Sequence, residues 1–123
     1  IPDTKHIITG NHWYAREFST RVKVNSTGLR AFQRKLEKGK DIIRIALVGD
    51  SMVAAREVDF KKTAGQLLEK RLNKEFSAIT GKNYEVLNFG VPGYGVDQMF
   101  LNCDRYASKF NPDYVFLSVF EIN

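Results

Sequence analysis

The sequence has a single cysteine, Cys103, which excludes an internal disulfide, and with only two histidines, His6 and His12, it cannot assemble a cysteine/histidine metal cluster. It has no apolar run near the roughly 20 residues a membrane helix needs, and its start lacks the charged, apolar and small-residue order of a signal peptide. With three prolines it carries no proline-rich linker, and it shows no internal repeat or low-complexity segment. A chain without staples must fold by packing alone. Its 123 residues, 43% of them hydrophobic, suffice for one modest core, so one domain is expected. The chain opens at Ile1 instead of methionine. Localisation is therefore open; a removed upstream signal or anchor would imply a bacterial extracytoplasmic protein.

The net charge of +5 is unevenly spread: residues 1–44 hold ten Lys/Arg against four Asp/Glu, and residues 45–123 hold nine against ten. A basic first third attracts anionic polymers or membrane surfaces. Solvated lysines on an ordinary surface account for it equally well, and no nucleic-acid partner is expected.

The hydrophobic pattern becomes regular from Lys40 onward. Ile42, Ile43, Ile45, Ala46, Leu47 and Val48 form a β-branched run typical of a strand buried on both faces. Phe60, Ala64, Leu67, Leu68, Leu72 and Phe76 recur at helical spacing, with Thr63 and Gln66 in the form of a capping box and Gly81 as the stop. Tyr84 to Phe89 reads as a second strand. Val96, Met99, Phe100, Cys103, Ala107 and Phe110 share one helical face, which Asn111 and Pro112 terminate, and Tyr114 to Phe120 reads as a third strand. Strand, helix, strand, helix, strand with short connections predicts a parallel sheet covered by helices. Residues 1–39 break this rhythm. They are read as an N-terminal extension packed on the core, with a short strand in the alternating stretch Phe18 to Val24.

In an open parallel sheet the ligand site lies beyond the carboxyl ends of the strands. Three segments reach that edge: Gly49, Asp50 and Ser51; Asn88, Phe89 and Gly90; and Glu121, Ile122 and Asn123. A serine just past a strand can present its hydroxyl as a nucleophile, while nearby amides stabilise an oxyanion. Asp50 fits better as a turn former than as a catalytic acid. Gly90, Gly93 and Gly95 could cradle a phosphate, but G-x-x-G-x-G is not the dinucleotide fingerprint and Pro92 removes one donor. Cys103 reads as a buried helix residue.

RIALVGDSM resembles the first motif block of the SGNH (GDSL-type) hydrolases, VLNFGVPGYG their second, and VFLSVFEIN the start of their third; FSTRVKVNSTGLR resembles the segment that precedes the catalytic domain in some bacterial members. The resemblance implies a three-layer α/β/α domain with a flavodoxin-like parallel sheet over residues 40–123, cut short after its third strand. It implies Ser51 as nucleophile and Gly90 and Asn123 as oxyanion-hole residues. The implied activity is hydrolysis of an ester or O-acetylated substrate, or the related acyl transfer, with an acetylated carbohydrate as the guess and no metal or organic cofactor. Two departures stand out. Glu121 occupies the position that is glycine in the third block, and the Asp-x-x-His block that supplies the base is absent. The chain is accordingly expected to be a fragment with little turnover of its own. The rival expectation is a non-catalytic α/β module that binds glycan or protein through the same rim, and a nucleotide-binding flavodoxin-like domain ranks third. Neither His6 nor His12 is expected to act as base, since nothing in the sequence brings the extension over the strand ends.

Overall fold

The computed structural model describes residues 3–12 and 15–120. Its first part is a ribbon. Strand β1 (Lys5–His12) pairs antiparallel with β2 (Ala15–Lys23), placing His6 opposite Val22 and Ile8 opposite Thr20, with a register shift between Gly10 and Asn11. Strand β2 takes in most of the alternating stretch expected to be extended. Strand β1 lies in KHIITGNH, where two adjacent isoleucines give no alternation to read. Thr20 and Val22 are buried, and the Thr20 hydroxyl donates to the Glu57 carbonyl at 2.8 Å, so the ribbon docks on the loop that follows the first strand of the main sheet.

The next segment folds around Asn25. Its Oδ1 accepts from the Thr27 N–H (3.1 Å), the Thr27 hydroxyl (2.8 Å) and the Leu29 N–H (2.9 Å), an Asx-type turn that leads the chain to Arg30. Arg30 is buried, and its guanidinium donates to the carbonyls of Ala54, Ala55 and Val58. Residues 18–30 are thereby tied to the turn beside the candidate nucleophile.

The main sheet has three parallel strands, β3 (Ile42–Gly49), β4 (Asn83–Gly90) and β5 (Tyr114–Leu117), in the order β4-β3-β5. Between β3 and β4 come the short helix α1 (Ser51–Ala54) and the long helix α2 (Ala64–Thr80). Helix α3 (Val96–Arg105) and a 3₁₀ turn (Ala107–Phe110) link β4 to β5. Strand alternation gives the sheet two faces, both covered over β3 and β4. On one, Ala46, Val48, Leu87 and Phe89 pack with Met99, Ala107 and Phe110, the two phenylalanine rings meeting edge to face at 5.8 Å. On the other, Gly65 of α2 is buried, and a Cβ there would meet Leu47 and Val86. The chain is a mixed α/β protein with helices flanking a parallel sheet, as its pattern implied.

Details of the elements differ from the pattern. The Thr63–Gln66 capping box does not form: the Thr63 hydroxyl donates to the Phe60 carbonyl at 2.8 Å, closing a 3₁₀ turn over Phe60–Lys62 ahead of the helix. Gly81 does stop α2, in a left-handed conformation (φ +67°) with its N–H on the Ser77 carbonyl. The expected third helical face is split, because Tyr106 leaves the helical conformation and the last turn tightens to 3₁₀. Strand β5 ends at Leu117, short of Phe120, and all four of its residues are exposed. Cys103 is half-buried against the core, more open than expected.

The amino-terminal end of the sheet is held by charge. The Asp113 carboxylate accepts from the Arg44 backbone N–H at 2.7 Å and pairs with Lys38. Desolvation pushes the Asp113 pKa up, but the hydrogen bonds from Lys38 and Arg44 and the nearby positive charges outweigh it, and the net shift is downward. A carboxylate whose folded pKa lies below its unfolded value adds stability above the unfolded pKa of about 3.9 and loses it as pH falls through the folded value. Wild type is therefore expected to lose stability over that acidic window more steeply than Asp113→Asn, as read by urea midpoints at successive pH values.

Candidate active site at the carboxyl edge of the sheet

The register brings the two glycine-terminated strands level: Gly49 at the end of β3 lies beside Gly90 at the end of β4, and the Val91 N–H donates to the Gly49 carbonyl at 3.0 Å. On the other side of β3, the Ser118 N–H donates to the Val48 carbonyl at 2.8 Å, so the chain leaving β5 reaches the same edge. The chain leaves β3 for β4 on one side and then crosses back from β4 to β5 on the other side of β3. This makes the end of β3 the topological switch point of the sheet, where an open α/β fold has its crevice.

Ser51 stands at that point. It is the first residue of α1 and is exposed, and its hydroxyl has no hydrogen-bond partner among the described residues. Its own N–H, at the first helical position, has no intrahelical acceptor. Asp50 caps the helix, its Oδ1 accepting from the Met52 N–H at 2.8 Å, which is the turn-forming role its type suggested. Ala55 closes α1 in a left-handed conformation (φ +46°), and there Arg30 holds the carbonyls.

Gly90 packs directly against α1. A Cβ built on Gly90 would overlap the backbone of Val53 and Ala54 and would lie 2.9 Å from the Ala54 Cα. Backbone, unlike a flexible side chain, cannot swing aside. Gly90→Ala is therefore expected to displace α1 and to destabilise the fold by about 1–3 kcal/mol; an unchanged urea midpoint would contradict this packing.

Sequence reasoning placed Asn88 at this edge and gave it no role. Buried at the end of β4, it accepts the Gly90 N–H on Oδ1 (2.8 Å) and donates from Nδ2 to the Val53 carbonyl (2.6 Å). One side chain thus ties the glycine loop to α1, and it occupies the amide assigned to the oxyanion. The only signal in the sequence was an amide residue two places before a strand-ending glycine. Asn102, also buried, supports the same loop by donating to the Phe89 carbonyl at 2.9 Å.

The structure thus brings Ser51 and Gly90 to one edge of the sheet. Asn123 and Glu121 lie outside the described residues. The N-terminal extension reaches the strand ends, which nothing in the sequence indicated: a pocket of about 440 Å³ is lined by His6 together with Ala54 and Gly90. The ribbon reaches there because Thr20 and Arg30 pin it to residues 54–58. The His6 Nε2 lies 2.9 Å from the Thr4 hydroxyl.

Among the described residues no group of three or more His, Cys, Asp or Glu side chains could hold a metal ion. Nor, among them, is any helix long and apolar enough to cross a membrane. Fold and edge together define an α/β protein with a parallel sheet and a Gly-Asp-Ser turn at its switch point. No protein-family model matches the chain, and no curated protein matches it.

Proposed function

We propose that this chain is the nucleophile-bearing part of a serine acyl hydrolase of the SGNH (GDSL) kind, acting on an ester or O-acetylated substrate. One observation carries the reading: Ser51, exposed and with an uncommitted hydroxyl, follows the central strand at the switch point and is the first residue of the helix against which Gly90 packs. The strand order also agrees with the start of a flavodoxin-like three-layer sheet. In this reading Ser51 Oγ attacks the acyl carbon and the amides of Ser51 and Gly90, with the Asn123 side chain, receive the charge that develops on the carbonyl oxygen. Gly90 can contribute only if its N–H is released from, or shared with, Asn88 Oδ1. The proton of Ser51 needs a base, and the block that would provide it is not among these residues.

A second reading, a non-catalytic module that binds glycan or protein at the same rim, is favoured by the engagement of the Gly90 amide with Asn88. Fluorophosphonate labelling of the protein made from its whole reading frame, followed by peptide mapping, separates the two. Label on Ser51 supports the hydrolase. Label on Ser26 or Ser118 overturns the assignment, and an unlabelled but folded protein favours the binding module.

A further inference from the structure

The ribbon pocket has a one-signed wall. His6, Arg30 and Arg56 line it together with Thr4, and among the described residues no aspartate or glutamate does. Arg56 is exposed and makes no hydrogen bond or ion pair among the described residues. Arg30 is committed to carbonyls through its terminal nitrogens, yet its Nε–H is buried with no acceptor. Desolvation lowers the Arg30 pKa; the charges of Glu57 and Asp59 oppose that, and Arg56 adds to it as a like charge. Arg56, exposed and beside the buried Arg30, thus gives the pocket a positive wall that attracts a negatively charged ligand.

We propose that this pocket binds a sugar unit bearing a carboxylate, as part of an anionic polysaccharide chain. Arg56 offers a free planar fork that matches a carboxylate. His6, exposed and 2.9 Å from the Thr4 hydroxyl, can meet a sugar hydroxyl, and half-buried Ile8 gives the C–H face of a pyranose an apolar contact. The volume of about 440 Å³ falls in the usual range for small-molecule sites. Nucleic acid fits less well, because among the described residues no aromatic ring lines the pocket to give stacked bases a platform. The pocket touches Ala54, the last residue of α1, whereas Ser51 is the first; at 1.5 Å rise per residue the two are only about 4.5 Å apart along the helix axis. A chain anchored here would pass the candidate nucleophile. The inference rests on the hydrolase reading only in calling the ligand a substrate.

Calorimetric titration of the chain with oligogalacturonate, with the matching neutral galactose oligomer and with oligothymidylate tests the assignment. Oligogalacturonate is expected to bind, more weakly as salt rises, and the neutral oligomer at least about tenfold less tightly, the value of charged hydrogen bonds lost. Arg56→Ala and Arg56→Gln, at an exposed site that should not affect folding, are both expected to weaken binding by about the same factor. Equal binding of the neutral oligomer, unchanged affinity in both variants, tighter binding of oligothymidylate, or no binding of oligogalacturonate overturns the proposal. Since binding is read without turnover, each of these results leaves the assignment of Ser51 to be judged by labelling alone.

Discussion

Ser51→Ala is expected to abolish fluorophosphonate labelling and, in a polypeptide that joins this segment to a histidine base, to reduce ester turnover by about 10⁴-fold or more, the usual consequence of removing a triad nucleophile. The size of the effect follows from the role and not from folding. Ser51 is exposed, and its hydroxyl holds nothing in place among the described residues. The helix keeps its cap, because the capping oxygen belongs to Asp50. Alanine is also a good helix former at the position it would occupy. Stability should stay within about 0.5 kcal/mol of wild type, as for most exposed substitutions. A variant that labels normally would remove Ser51 from the mechanism, and one that unfolds would show a structural role that the geometry does not contain.

Arg44→Ala is expected to be the most destabilising single change at the opposite end of the sheet, by about 3–5 kcal/mol, because it removes the buried half of an ion pair and the donor of two carbonyls. Arg44 is 1% exposed although it carries a charge, and it lies near the amino-terminal end of the central strand. Its guanidinium bonds Glu85 through Nε at 2.9 Å and Nη2 at 2.8 Å, and Nη1 donates to the carbonyls of Leu36 and Phe110 at 3.0 and 2.6 Å. Removing it leaves two carbonyls without that donor and leaves Glu85 with Arg34 at 3.6 Å as its remaining cation. Replacing both partners should cost less than the sum of the single changes, since the double variant leaves no uncompensated carboxylate. Urea denaturation of the two single variants and the double variant measures this directly. Strict additivity would show that the pair is not coupled.

These two residues mark the limits of what the chain's order reveals. The β-branched run around Arg44 identified the central strand, and Arg44 within it gave no hint of burial, because its acceptors come from residues 36, 85 and 110. The Gly-Asp-Ser turn was legible for the opposite reason. A glycine, a capping aspartate and a serine after a buried strand carry their local geometry within three neighbouring positions. Asn88 was illegible as a site residue because its two partners are Val53, 35 positions away, and Gly90, whose amide it competes for. Strand β5 was overextended in the reading because apolar residues continue to Phe120, whereas ladder pairing with β3 stops at Leu117.

By itself, the sequence determined that three hydrophobic strands alternate with two helices, that no disulfide or cysteine-based metal cluster supports them, and that glycines and a serine fall at strand ends; each of these follows from periodicity and residue type over a few neighbouring positions. Only the tertiary structure decided that β3 lies between β4 and β5, that Gly90 abuts the backbone of α1, and that the N-terminal ribbon lies beside that helix to enclose a cationic pocket. The reason is the range of the forces involved. Strand order and docking depend on contacts between residues tens of positions apart, such as Thr20 with Glu57 and Arg30 with Val58, and no local pattern encodes which distant carbonyl a side chain will find.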